Sequence, residues 1–377
     1  MEREPWRDDF DLVAWAMAAR SPWLIRSTCE RLLESATMPK ALRPVLHLYM
    51  ARNSAGLDEL IDGRDTTELM PPTSLGKTMF NPSVAFDEDA RLWCVVRTSD
   101  SIPDSSNRHW GPGNPIGTAN YLLGLNDDLS IESCDLIDDS EVRIDPFQFP
   151  ASGLEDARLV RENGHWLLVG ALREHRHDGL YQMAIDRLDG NRVVERKVLH
   201  KPESKYHEKN WMPFIFQERL QFVYSCSPTI IVGLAEDASD EEKLAEEFRQ
   251  VWTVEVDEVL KYDTPQWARD LRGGSALIHM DGGWLAITHQ SINVQRNNRL
   301  NFHRFVWFDE KLCLTKWSDS FTFAEPGVEF VAGMVRRRDE LLVSFGVDHA
   351  LAFICRLPLD GVMKMLKPLG EEWIGTR

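Results

Sequence analysis

The stretch "LEDARLV", Leu154–Val160, followed after a turn by "GHWLLVGA", Gly164–Ala171, decides the fold. A polar head of Glu155, Asp156 and Arg158 opens a β-prone run, and a second apolar run returns from the turn, as in two antiparallel strands. The same pairing recurs along the chain. "FNPSVAF" (80–86) precedes "ARLWCVVR" (90–97), and "EKNWMPFI" (208–215) precedes "RLQFVYSC" (219–226). "GGSALIHM" (273–280) precedes "GGWLAITH" (282–289), and "VEFVAGMV" (328–335) precedes "ELLVSFGV" (340–347). A third strand follows most pairs, as in "NYLLGLND", "YQMAIDRL", "HRFVWFDE" and "LAFICRLP". The pairs start roughly 55 to 75 residues apart, long for a four-stranded blade but compatible with inserted loops. Five such pairs in succession read as an all-β, five-bladed β-propeller over residues 67–377.

A small α-helical N-terminal segment, residues 1–66, is expected ahead of it. "SPWLIRSTCERLLESA" (21–36) offers Ser21 as an N-cap and Pro22 at the first helical position, with Leu24, Ile25, Leu32 and Leu33 at helical spacing. "ALRPVLHLYMARNSAG" (41–56) ends on Gly56, a helix stop. These helices are expected to contact a protein partner or a second subunit, and "TTELMPPTSLG" (66–76) reads as a linker.

A net charge of −17 over 377 residues argues against a nucleic-acid partner, whose phosphates need a basic face. A small anionic ligand is not excluded, because it feels only the local field. The six cysteines are scattered without a C-x-x-C pair and read as buried free thiols, and no metal site is expected. No signal peptide is visible, and no apolar run approaches the ~20 residues of a membrane span, so a cytoplasmic protein is expected. Two insertions stand out. Residues 98–119, "TSDSIPDSSNRHWGPGNPIGTA", form a long Ser-, Pro- and Gly-rich loop, and residues 236–250, "EDASDEEKLAEEFRQ", an acidic, helix-like solvated excursion. "REHRHDG" (173–179) reads as a surface loop rather than a metal site.

In a propeller the first strand of each blade lines the central channel, where ligands commonly sit. The polar heads of those strands are Asn81, Glu155-Asp156-Arg158, Glu208-Lys209-Asn210, Ser275 and Glu329. They combine carboxylates suited to sugar hydroxyls or acid–base work with cations suited to an anion. Trp211 and Phe214, just behind one head, serve as core or as a stacking wall.

The ordered motifs "FNPSVAF", "CVVRT", "LEDARLV", "EKNWMPF", "GGSALIHMDGGWLAITH", "VEFVAGMV" and "ELLVSFGVDHA" resemble glycoside hydrolase family 130, over residues 78–365. They are also similar to the related mannosyltransferase and phosphorylase propellers. The resemblance implies a carbohydrate-active enzyme working on β-manno-configured glycosides, by phosphorolysis or hydrolysis, at the channel mouth. It implies an oligosaccharide or glycan substrate and no cofactor, with inorganic phosphate or a sugar nucleotide as co-substrate. Arg97, Arg158, Lys209 and His289 then fall at anion-binding positions, and Glu155, Asp156, Asn210 and Asp348 at sugar-binding ones. Asn81 and Glu329 join the substrate-binding set as polar strand heads.

The pattern breaks in two places. The family's general acid, an aspartate before the third strand of the first blade, has no counterpart in Gly117-Thr118-Ala119-Asn120. "YSCSP" stands where relatives often have H-R-P, and Ala157 replaces the proline of E-D-P-R. Three readings follow. Asp104, or failing it Asp100, supplies the catalytic proton from the long loop; or the protein is a glycosyltransferase whose activated donor needs no proton; or it is a non-catalytic glycan-binding propeller.

Overall fold

The computed structural model describes residues 55–70, 77–99, 116–143, 151–176, 178–201, 206–235, 242–243, 251–264, 271–295, 298–324 and 327–369, with a few isolated residues elsewhere. Five antiparallel units of β-strand follow one another along them. In unit one the strands Phe80–Phe86, Leu92–Ser99, Ile116–Leu125 and Ile131–Leu136 pair in chain order. Unit two repeats this with Glu155–Glu162, His165–Leu172, Gln182–Asp189 and Arg192–His200. Unit three is Met212–Phe216, Arg219–Cys226, Thr229–Leu234 and Val251–Tyr262, the last also pairing in parallel with the outer strand of unit two. Unit four runs from Arg272–Gly273 and Ile278–Met280 through the long hairpin Gly283–Gln295 and Asn298–Asp309 to Leu314–Trp317.

Unit five is closed by a strand from the other end of the described chain. Glu329–Arg337, Glu340–Val347 and Leu351–Pro358 are completed by Asp65–Glu68, which lies antiparallel to the third strand with Asp65 opposite Arg356. The start of the expected linker is thus an edge strand: Leu351–Pro358 has an open edge, and Thr66 and Thr67 suit a half-buried β position. Of the helical segment expected over 1–66, residues 1–54 fall largely outside the described residues, with Thr28, Cys29, Leu32, Val45 and Leu46 helical there; Gly56 precedes the one-turn helix Leu57–Leu60 rather than ending a helix. The acidic excursion is described only at Glu242–Lys243, a short strand beside Trp252 and Thr253 rather than a helix.

Strand alternation explains why the units stack in a ring. Successive side chains point to opposite faces, so each sheet has two apolar faces to cover. Val84 packs toward unit five with Leu342 and Ile354, while its neighbour Ala85 packs toward unit two with Leu159 and Leu168. Units two and three share Val169, Ile185, Phe222 and Val232; units three and four share Phe214, Val223, Trp284 and Phe308; units four and five share Ile287, Phe305, Val343 and Phe345. One apolar cluster therefore fills each of the gaps between neighbours, including the gap between the last unit and the first. The result is an all-β, propeller-like fold, with the inner strand of every unit at the axis.

Polar stitches bind neighbouring units near the inner strands. Ser83 Oγ donates to Ala332 O of unit five and accepts the Leu159 amide of unit two. Ser344 Oγ donates to Pro82 O, and the Leu277 amide donates to Pro213 O. No disulfide joins the six cysteines; Cys29, Cys94, Cys226 and Cys355 are buried as expected, whereas Cys134 and Cys313 are only half-buried. Among the described residues no helix is long and apolar enough to cross a membrane.

Candidate functional site

Three of the inner strands open on a residue in the left-handed region: Asn81 (φ 49°), Asp156 (φ 51°) and Asn210 (φ 61°). Asn and Asp tolerate this conformation best among non-glycine residues, and strain of this kind clusters at functional sites. In units one and two a β-bulge accompanies it, shifting register between Phe80 and Ser83 and between Glu155 and Arg158. A regular strand would send Glu155 and Asp156 to opposite faces. The bulge instead brings both carboxylates to one guanidinium.

That guanidinium belongs to Arg97, on the second strand of unit one. Its Nη1 donates to Asp156 Oδ1 at 2.9 Å, and its Nη2 donates to Thr118 Oγ1 at 3.1 Å and lies 3.4 Å from Glu155 Oε1. Asn81 Nδ2 donates to the same Asp156 oxygen at 2.7 Å. Lys209 Nζ stands 3.4 Å from Glu155 Oε2 and 3.3 Å from the ring centre of Tyr181, whose hydroxyl donates to Glu155 Oε1 at 3.1 Å. Arg158 lies underneath, fully buried. Its Nε donates to Gly274 O, its Nη1 to Asp156 O and its Nη2 to Asn210 Oδ1, and its face covers the Phe330 ring.

Seven residues singled out in the sequence thus meet: Asn81, Arg97, Glu155, Asp156, Arg158, Lys209 and Asn210. Their electrostatics follow from the geometry. Burial works against the Asp156 charge, but Arg97, then Lys209 and the Asn81 amide, hold its carboxyl well below the usual range. Burial pushes the Arg158 guanidinium down to about 10. Arg97 goes the other way, because Glu155 and Asp156 outweigh its desolvation. Three cations against two carboxylates leave the cluster with excess positive charge, although the chain carries −17. Arg97 Nε is buried and has no partner, one donor left over in the cluster.

The other nominated residues lie differently. His289 is buried against Phe330, its ring edge-on to it at 5.3 Å, and its Nδ1 has no partner. Burial, then His303, Arg272 and Arg158, push this imidazole well below its ordinary pKa, so it is neutral. Glu329 is completely buried and accepts the amides of Phe323 and Ala324, which ties down a loop rather than facing the cluster. Asp348 is exposed in a turn with His349, both at positive φ, and His349 rests edge-on against Phe80. Glu208 accepts the Trp211 indole N–H at 3.1 Å, and Trp211 and Phe214 are core. In "REHRHDG", Glu174 is buried and accepts the Gly153 and Arg173 amides, while Arg173, His175 and Arg176 are half-buried and Asp178 is exposed. Among the described residues no group of His, Cys, Asp and Glu could hold a metal. Asp100 and Asp104 lie outside the described residues.

Sequence reasoning passed over Tyr181 and weighed Thr118 only as a place where a carboxylate is missing. Both open third strands, where strand patterning reads them as packing. Only the lateral contact between strand ends reveals that they touch Glu155 and Arg97.

No family model matches the chain, and no curated protein matches it in sequence. Solved structures share its fold at low identity. A β-1,2-mannobiose phosphorylase from Listeria innocua, in complex with β-1,2-mannobiose, is 12% identical with a TM-score of 0.50, covering 78% of this chain and 94% of that one. A mannose phosphorylase from Leishmania mexicana, in complex with a phosphate ion, is also 12% identical with a TM-score of 0.50, covering 81% and 91%.

Proposed function

We propose that this chain, which carries the fold of the mannoside phosphorylases, is a five-bladed propeller that binds a β-manno-configured glycan and cleaves it with inorganic phosphate. The observation that carries this reading is the cluster of Arg97, Arg158 and Lys209 with Glu155 and Asp156 at the heads of the inner strands. Its excess positive charge suits one bound anion, and a neutral glycan alone has no use for it. Lys209, together with Arg97 Nε, has donors to spare, whereas Arg158 spends its nitrogens on Gly274, Asp156 and Asn210. Asn81, Asp156 and Glu155 offer the amide and carboxylate groups that hold sugar hydroxyls. The His289 Nδ1 and Arg97 Nε atoms without partners supply further polar capacity behind them.

A second reading is favoured by one observation. At the place of the missing acid, Thr118 Oγ1 is occupied by Arg97, and Asn120 Nδ2 donates to Leu154 O. Neither supplies a proton. An activated donor, such as a sugar phosphate or sugar nucleotide, needs none, and the site would then run as a glycosyltransferase. The phosphorylase needs its donor from elsewhere, Asp104 before Asp100.

The test is incubation with β-mannosides with and without phosphate. Phosphate-dependent release of mannose 1-phosphate is expected, with phosphate raising the melting temperature by binding the native state. Lys209→Ala removes most of that shift, and Asp104→Asn slows turnover by at least ~10²-fold on unactivated glycosides. Consumption of a sugar nucleotide without phosphorolysis selects the transferase. Mannoside binding with neither activity selects a glycan-binding module.

A further inference from the structure

Tyr181 closes the second unit's third-strand entrance and is almost fully buried, yet it makes two contacts that packing does not require. Its hydroxyl donates to Glu155 Oε1 at 3.1 Å, and its ring face lies 3.3 Å from Lys209 Nζ. Its own amide donates to His207 Nδ1, whose ring tilts against it at 5.4 Å, while Arg173 covers the ring with its guanidinium 5.2 Å from the centre. The ring is therefore fixed before any ligand arrives.

We infer that Tyr181 is the positioning residue of the site, aiming the Lys209 ammonium with its aromatic face and the Glu155 carboxylate with its hydroxyl. The inference rests on the reading of Lys209 as the anion ligand and Glu155 as a sugar ligand. A lysine has a flexible four-carbon stem, and a bound anion must otherwise select one of its many rotamers. The ring face holds the ammonium by cation–π attraction on one side, and Glu155 Oε2 holds it on another, leaving its remaining donor direction for a ligand. The hydroxyl occupies one lone pair of Glu155 Oε1 beside Arg97, which sets the direction of those left for a sugar hydroxyl. The two contacts use different parts of one side chain, so substitution separates them. Phenylalanine keeps the face and loses the hydroxyl. Leucine loses both.

The experiment uses the full chain with inorganic phosphate and mannose as probes, read by thermal shift. Tyr181→Phe is expected to weaken mannose binding about tenfold, a lost hydrogen bond to a charged group, and to leave the phosphate half-saturation within about twofold. Tyr181→Leu is expected to weaken phosphate at least ~3-fold as well. A second measurement needs no ligand. With 13C-labelled lysine, the Lys209 ε-methylene resonance, assigned by its loss in Lys209→Ala, is expected upfield from the ring current in the wild type and Tyr181→Phe, and at ordinary shift in Tyr181→Leu. An unshifted wild-type resonance overturns the inference, as does equal phosphate binding by the wild type and Tyr181→Leu. A wild type that ignores both probes while keeping the ring-current shift overturns the functional reading instead, and with it any ligand for Tyr181 to position.

Discussion

Arg196 and Asp186 face each other across unit two with no exposure to solvent, joined by two parallel hydrogen bonds of 2.6 Å. Breaking such a pair leaves a buried charge uncompensated, so Asp186→Ala is expected to destabilise the protein by about 3–5 kcal/mol in urea unfolding. A loss under 1 kcal/mol would contradict the burial of the pair. Glu329 and His303 form a different kind of contact, with His303 Nδ1 3.6 Å from Glu329 Oε2. Burial pushes the Glu329 carboxyl up to about 7 and the His303 imidazole down to about 3, so between those values the contact is between neutral groups. The folded pKa of Glu329 lies above its ordinary 4.5, so the stability it contributes is present below pH 4.5 and is lost as pH rises through 7. His303 runs the opposite way, its contribution present above its ordinary 6.5 and lost as pH falls toward 3. Glu329→Gln cannot ionise. From pH 5 to 8 the wild type is expected to lose up to about 3 kcal/mol relative to this variant, and parallel pH profiles would remove the carboxyl as the cause.

At the scale of elements, the site depends on how closely neighbouring inner strands approach. A side chain at Gly273, the first strand of unit four, would collide with the Asn210 carbonyl oxygen and with Met212 Cγ at 2.7 Å. Backbone cannot yield as a flexible side chain does. Gly273→Ala is therefore expected to cost about 1–3 kcal/mol and to displace Asn210 from the Arg158 guanidinium. Unchanged stability would show that the strand gives way freely. The polar strand heads were legible because each interrupts an apolar run with residues that prefer turns. Their convergence was not. Glu155 and Asp156 share one partner only because of the bulge, and bulges leave no reliable trace in composition. Glu329 looked equivalent to the other heads by position, yet it enters unit five without a left-handed residue and points into the loop at Phe323.

For the whole molecule, ring closure depends on the four residues Asp65–Glu68, which supply the outer strand of unit five from the opposite end of the described chain. Proline at both Thr66 and Thr67 removes whichever of their amides serves the ladder with Cys355 and Ile354. The double variant is expected to melt at least ~5 °C lower, with earlier protection loss in Leu351–Pro358 by hydrogen exchange. Exchange unchanged along that strand would mean the ring closes without it. The sequence by itself determined the strand pairs, their order and the apolar alternation, because period-two patterning and turn residues act locally along the chain. It also nominated the charged heads, because a charge beside a buried run needs a local reason. Only the tertiary structure decided which heads meet, that Tyr181 touches both Lys209 and Glu155, and that a strand from residues 65–68 completes the last unit. Those contacts join residues tens to hundreds of positions apart, and their energies arise from burial and geometry that exist only once the ring has closed.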